Sequence, residues 1–308
     1  MSHISVLLQP SIEALNVKED GFYVDGTLGR GGHTEAIAKQ LTTGKVLVFD
    51  LDEEAIALSK ERLEPYKDRI IYVHDNYATI KTHVLQHFPE GLDGFIFDLG
   101  VSSPQFDEGG RGFSYRFDAP LDMRMDTRQS FNAQVLINTY SLQEITDVLR
   151  NYGEEPFAYP IAKKIVAARE VAPIETTFQL VDIIKSALPA RILSKKGHPA
   201  KQSFQALRME VNQELQSVKT AIADGCELLK PSGIGCVITF HSLEDRIVKD
   251  IFKQLSSAPK TNKRLPMEEV AVDFTLITRK PITASQEELE ENPRAHSAKL
   301  RVIQRKGD

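Results

Sequence analysis

The chain has no tryptophan and only two cysteines, and no apolar run in it approaches membrane-spanning length. Cys226 and Cys236 sit in apolar surroundings without metal-ligand spacing, so neither a disulfide framework nor a cysteine zinc site is implied. No metal site of any other kind is suggested. The start, MSHISVLLQPSIEAL, lacks a basic leader followed by a long apolar core, and a soluble, cytoplasmic protein of a reducing compartment is expected, without contact with a membrane. A strong excess of one charge is also missing. The net charge is −5 over 308 residues, which by its sum does not suggest nucleic acid, but its distribution is uneven. Residues 1–106 carry 9 Lys/Arg against 16 Asp/Glu, 107–209 carry 14 against 12, and 210–308 carry 15 of each. Within the middle section, 183–209 holds Lys185, Arg191, Lys195, Lys196, Lys201 and Arg208 with no acid. Such an island suits phosphates and equally a solvated face.

A phosphate-loop lysine is absent as well. Phe22-Tyr23-Val24 is a short apolar strand ending in Asp25, followed by Gly26, Gly29, Gly31 and Gly32 before a helical pattern begins at Thr34. Strand, glycine turn and helix bring backbone N–H groups close to a nucleotide-like ligand. The spacing is neither G-x-G-x-x-G nor the loop ending in Gly-Lys-Ser/Thr, which argues against a nucleoside triphosphate. Asp25 argues for a ligand with positive charge or amine donors.

Val46–Phe49 ends at Asp50, Ile70–Val73 at His74, and Gly94–Phe97 at Asp98, with helical patterns between them. This rhythm predicts an α/β fold, a parallel sheet with helices on both faces and the strand-final acids on its carboxyl edge. After residue 100 the rhythm breaks. Residues 131–188 read as helices capped at Asn132 and Ser141, and 203–229 as one long amphipathic helix. Strands return at Ile234–Phe240, Val270–Thr278 and Leu300–Gln304, and 283–299 reads as a loop. The expected organisation is one discontinuous α/β domain, 1–106 with 210–308, and an inserted helical domain, 107–209.

Asp50, about 20 residues beyond the glycine turn, is placed to accept both hydroxyls of a ribose, a contact shared by NAD(H) and S-adenosylmethionine. An acid beside an irregular glycine run hosts a pyrophosphate poorly, so the methyl donor is preferred over a dinucleotide. Asp98 is placed to hold an exocyclic amine, or simply to cap a turn. In FHSLEDR, from Phe240, His241 suits a general base or a phosphate contact and Ser242 an N-cap, and Arg246 suits a phosphate. In 109–126, Arg111, Arg116 and Arg124 interleave with Phe113, Tyr115 and Phe117, a surface for an unstacked nucleotide or an anchor for the insertion. An oxidoreductase and a non-catalytic RNA-binding module are the competing classes.

Nine stretches in order resemble one family: His3 with Val6-Leu7-Leu8, DGTLGRGGHT from Asp25, FDLD from Phe49, DLGVSSPQ from Asp98, GRGFSYRFDAPLDMRMD from Gly110, YGEE from Tyr152, HPAKQSFQALRMEVNQEL from His198, FHSLEDRIVK from Phe240 and NPRAHSAKLR from Asn292. The chain resembles the bacterial 16S rRNA cytidine N4-methyltransferases, the MraW family, over nearly its whole length. The resemblance implies a class I S-adenosylmethionine-dependent methyltransferase (Rossmann-like) sheet with an inserted all-helical domain. It implies a substrate in the small ribosomal subunit, the N4 amine of a cytidine in the decoding region (P site). It also implies that Gly31, Gly32 and His33 contact the cofactor, Asp50 its ribose and Tyr77 its adenine side, with Asp98 and Gln105 completing the pocket. Lys195, Lys196, Arg208, His241, Arg246 and Arg294 are the expected RNA contacts, with Arg111, Arg116 and Arg124. His296 stands where the family usually has Arg, which weakens a phosphate role there, and Gln9 replaces an acid. A homodimer is compatible with the sequence, which does not itself set the oligomeric state.

Overall fold

Val, Ile and Phe fill a pleated surface covered on both faces, so the apolar runs become the strands of a buried sheet. The computed structural model describes residues 5–100, 109–258 and 271–307. The chain divides into two units, Met1–Gly100 with Leu215–Asp308, and Val101–Glu214. The first opens with α1 (Leu8–Leu15), β1 (Phe22–Asp25), α2 (Gly32–Gln40), β2 (Lys45–Asp50), α3 (Glu53–Arg62), β3 (Ile70–His74), α4 (Ile80–His87) and β4 (Leu92–Asp98). The second unit is helical: α5 (Ala133–Thr139), α6 (Leu142–Gly153), α7 (Ala158–Arg169), α8 (Thr177–Ala187), α9 (Ala190–Leu193) and α10 (Lys201–Val211). The chain returns through α11 (Glu214–Glu227), β5 (Leu229–Thr239), α12 (Ser242–Leu255), β6 (Phe274–Leu276), α13 (Gln286–Glu291) and β7 (Lys299–Arg305).

The seven strands form one sheet in the order β3-β2-β1-β4-β5-β7-β6. β1 to β5 run parallel to one another, and β7 runs antiparallel to β5 and β6. Successive side chains alternate between faces. Val24, Leu47, Phe49, Phe95 and Phe97 pack in one core, while Tyr23, Val46, Val48 and Ile96 pack in another. Both sets are fully buried. The strand order reverses between β1 and β4, so the carboxyl ends of these two strands flank the crevice where open α/β sheets hold ligands.

The helical unit has its own core, in which Leu136, Ile145, Leu149, Ile161, Ile165, Leu180, Ile184, Phe204 and Leu207 are buried. Asn132 and Ser141 are N-caps as expected, Ser141 in a capping box with Glu144. A second capping box, Thr176 with Gln179, is not among the expected caps.

Three expectations are corrected. The stretch 203–229 is not one helix: α10 ends at Val211, Gln213 is left-handed at φ 48° and α11 starts at Glu214. The break lets Asn212 accept from the Met125 N–H at 2.7 Å and donate to the Met123 carbonyl at 2.8 Å. Residues 283–299 hold α13, capped by Ser285, and a 3-10 turn at Pro293–Ser297, not a plain loop. The strand expected over 270–278 is confined to β6 among the described residues.

Candidate active site

The glycine turn is built for conformation and close packing. Gly31 is the N-cap of α2 at φ 75°, a left-handed conformation that a side chain resists. A Cβ on Gly32 would lie 1.9 Å from the Ser5 hydroxyl, so this glycine lets the chain entering α1 cross the turn. Asp25 is almost fully buried. Its Oδ1 accepts from the Thr27 N–H at 3.0 Å and its Oδ2 from the Thr34 hydroxyl at 2.6 Å. These bonds pin the turn to α2.

Asp50 tethers the turn from the next strand. Its Oδ2 accepts from the Gly29 N–H at 2.9 Å and its Oδ1 from the Asp52 N–H at 2.9 Å, leaving lone pairs on both oxygens of a half-buried carboxylate. Burial pushes its pKa up to about 6. Tyr77 opens a 3-10 turn after β3 that Asn76 caps, and its ring meets Phe97 edge-on at 5.6 Å between centroids. Gln105 lies outside the described residues.

Asp98 ends β4, its N–H donating to the Thr27 hydroxyl at 2.6 Å. The side chain keeps 24% of its surface open, yet Oδ1 is buried and has no hydrogen-bond partner among the described residues. Its Oδ2 lies 3.9 Å from Nδ1 of His33, which is buried in the first turn of α2. Burial, then the charges of Asp25 and Glu244, hold the Asp98 pKa well above the usual carboxylate range. A buried polar atom with no partner costs free energy. Such a cost at a sheet's carboxyl edge marks a functional position.

Glu244 is not among the expected site residues. It is buried, and its Oε2 accepts from the Phe240 N–H at 3.0 Å and the His241 N–H at 3.4 Å. The sequence signal is a capping-box spacing with His in the first position. The expected cap Ser242 is instead the first residue of α12, and His241 is the N-cap, its Nδ1 accepting from the Glu244 N–H at 3.4 Å. His241 Nε2 lies 2.9 Å from Glu244 Oε1, close enough for an ion pair but not aligned as a hydrogen bond. Nδ1 thus serves the cap and Nε2 faces Glu244. Arg246 and Arg294 are exposed on this unit. Asp245 is gripped by Arg301 at 2.7 and 3.1 Å, with Lys299 at 3.6 Å, which commits Lys299 to the fold.

In the helical unit most of the expected arginines are engaged internally. Arg124 makes a two-pronged pair with Asp122, both bonds 2.7 Å, and donates to the Gln129 carbonyl at 2.6 Å. Arg111 donates to the carbonyls of Arg124 and Met125 and lies over the Phe113 ring. Arg208 is buried and forked onto Glu214 at 2.7 and 2.9 Å. These three anchor the unit. Arg116, Lys195 and Lys196 are exposed, and Tyr115 is stacked on His198 with ring centroids 4.2 Å apart.

Among the described residues no group of three or more His, Cys, Asp or Glu is arranged to hold a metal ion, and no helix is long and apolar enough to cross a membrane. Cys226 and Cys236 are buried free thiols whose pKa burial pushes up to about 12.

Residues 1–306 match the model of a family described as the MraW methylase family. The chain is 50% identical over 305 residues to the Ribosomal RNA small subunit methyltransferase H of Exiguobacterium sibiricum, covering 98% of both chains. It is 49% identical over 308 residues to the enzyme of the same name from Leuconostoc mesenteroides, covering 99% of both. A solved rRNA methylase structure from Streptococcus thermophilus aligns with a TM-score of 0.45 at 12% identity, covering 99% of both chains, a likeness too distant to weigh on fold or function.

Proposed function

The chain belongs to the MraW methylase family, and we propose that it methylates the N4 amine of a cytidine in 16S rRNA. The donor is S-adenosylmethionine, and the site is in the decoding region (P site) of the small ribosomal subunit. The name borne by its relatives supports the small-subunit RNA substrate. The observation that carries the chemistry is Asp98: an acceptor oxygen without a donor among the described residues, at the end of β4, beside the switch point of the sheet.

The residues present suit the cofactor. Asp50 presents a half-buried carboxylate to a ribose, the turn from Gly29 to His33 offers backbone groups, and Tyr77 offers an aromatic edge. When bound, S-adenosylmethionine supplies a methyl group made electrophilic by the adjacent sulfonium. Asp98 accepts a hydrogen of the cytidine amine, which fixes the nitrogen's orientation, and receives the proton that the amine sheds on becoming substituted. A carboxylate with a raised pKa is a better proton acceptor than an ordinary one. The base leaves its stack to reach such a buried oxygen. Exposed cations suited to RNA phosphates include Arg116, Lys195 and Lys196 in the helical unit, and Arg246 and Arg294 are exposed on the other unit.

The test is incubation with labelled S-adenosylmethionine and small subunits from a strain lacking the enzyme, followed by mass spectrometry of the nucleosides. N4-methylcytidine is expected; label in protein, DNA or carbon C5 overturns the reading. Neutralising Lys195 and Lys196 is expected to weaken subunit binding and to lower its salt slope by about 1 for each phosphate that is no longer neutralised, while S-adenosylhomocysteine binding stays constant. An unchanged salt slope removes both lysines from the interface. Cofactor affinity carries its own pH signature. The ribose hydroxyls donate to ionised Asp50, so affinity is expected to fall as pH drops through about 6, by about tenfold between pH 8 and pH 5. Calorimetry with S-adenosylhomocysteine reads this directly, and in Asp50→Asn the pH dependence should flatten.

A further inference from the structure

The three acids at the carboxyl edge of β1, β4 and β5 differ in how they are satisfied. Asp25 has Thr27 and Thr34, and Glu244 has two backbone N–H groups with His241 beside it. Asp98 accepts no hydrogen bond from a described residue, and among the described residues the one basic side chain within ion-pair distance is His33, whose Nδ1 faces Oδ2 at 3.9 Å. Among the described residues, the other charged groups that bear on Asp98 are both acids, Asp25 from β1 and Glu244 from α12. Burial and these two charges all disfavour the ionised carboxylate that a proton acceptor needs.

We propose that His33 is a positioning residue that acts through Asp98, donating from Nδ1 to Oδ2 so that the carboxylate stays ionised and Oδ1 faces the amine. The inference deepens the proposed methyl transfer and rests on it. The present 3.9 Å shortens by about 1 Å to reach hydrogen-bond distance, in keeping with catalytic hydrogen bonds that tighten only in the substrate complex. The two oxygens of Asp98 then have separate duties. As the nitrogen pair forms the bond to the methyl carbon, the C–S bond breaks with its pair left on sulfur, and the N4 proton goes to Asp98 Oδ1. His33 stabilises the ionised carboxylate beforehand and sets the pH at which it is ready.

Two variants separate this from a packing role, both measured at saturating S-adenosylmethionine. His33→Leu is expected to lower kcat about tenfold or more and to move the acid limb of the kcat–pH profile to higher pH, because removing the donor or cation leaves the carboxyl harder to ionise. His33→Asn, whose amide nitrogen occupies a place close to imidazole Nδ1, is expected to restore most of kcat. An unmoved acid limb in His33→Leu, or a His33→Asn variant no faster than it, overturns the proposal. Titration of the His33 ring by 15N NMR in the protein alone gives an independent reading, with a lower midpoint expected in Asp98→Asn than in the unsubstituted protein. Equal midpoints overturn the pairing. If the unsubstituted protein fails to methylate small subunits, the functional reading falls, while this titration still decides the pair.

Discussion

Asp98→Asn is expected to lose turnover by a factor of about 10²–10⁴ and, at the same time, to raise the melting temperature at pH 8. The first effect follows from exchanging the acceptor oxygen and its proton affinity for a neutral amide. The second follows from the linkage between protonation and folding. A carboxyl whose pKa is raised by folding binds its proton more tightly in the native state. Its contribution to stability is present in full below the unfolded value near 4 and is lost as pH rises through the folded value, so the ionised group burdens the fold at pH 8. Asparagine removes that burden, and a rise of about 2 °C or more is expected. The gain should shrink as the pH is lowered toward 4, where Asp98 is itself neutral. Thermal melts across pH beside single-turnover methylation test both halves. Turnover within tenfold of the unsubstituted enzyme, or a lower melting temperature at pH 8, would count against Asp98 as a strained functional acid.

Arg208→Ala is expected to cost the helical unit about 3–5 kcal/mol, the usual consequence of breaking a buried ion pair and stranding its partner. Both side chains are less than 10% exposed and joined by two bonds, and Glu214 has the opposite charge six residues on. Glu214→Ala should cost a similar amount, and the double substitution Arg208→Met with Glu214→Leu should recover most of the loss, because no lone charge is then left inside. Denaturant unfolding measures all three. Lys195→Ala and Lys196→Ala, on exposed side chains, should leave stability within about 0.5 kcal/mol. A stable Arg208→Ala protein with weakened RNA binding would return Arg208 to the interface and refute its structural assignment.

Arg208 and its neighbours differ in a way that no local signal conveys. The six cations of 183–209 form one island in the sequence, and nothing near them in the chain distinguishes the buried one. Arg208 meets Glu214 only because the helix breaks at Gln213, and the break depends on Asn212 bonding to Met123 and Met125, nearly 90 residues away. Arg111 and Arg124 likewise group with the nucleotide surface by sequence, though their guanidinium groups close the loop that carries them. His241 has the residue type of a base, but its ring nitrogens lie beside the backbone and Glu244. Elements with strong local signals fared better: the strands of the sheet, the glycine turn, and the caps Asn132 and Ser141 rest on periodicity and side-chain chemistry within a few residues.

From its sequence alone this protein is readable as an α/β sheet with a helical insertion, strand-final acids at Asp25, Asp50 and Asp98, and family motifs along nearly the whole chain. These are properties of near neighbours in the chain, so they survive without knowledge of the fold. What each acid does was decided only by the tertiary structure. Asp25 and Asp98 end adjacent parallel strands, yet Thr27 and Thr34 satisfy the first, while the second keeps a bare oxygen and faces His33 with the other. Hydrogen-bond satisfaction depends on groups brought from other elements to within about 3 Å, and that distance is a property of the packed molecule.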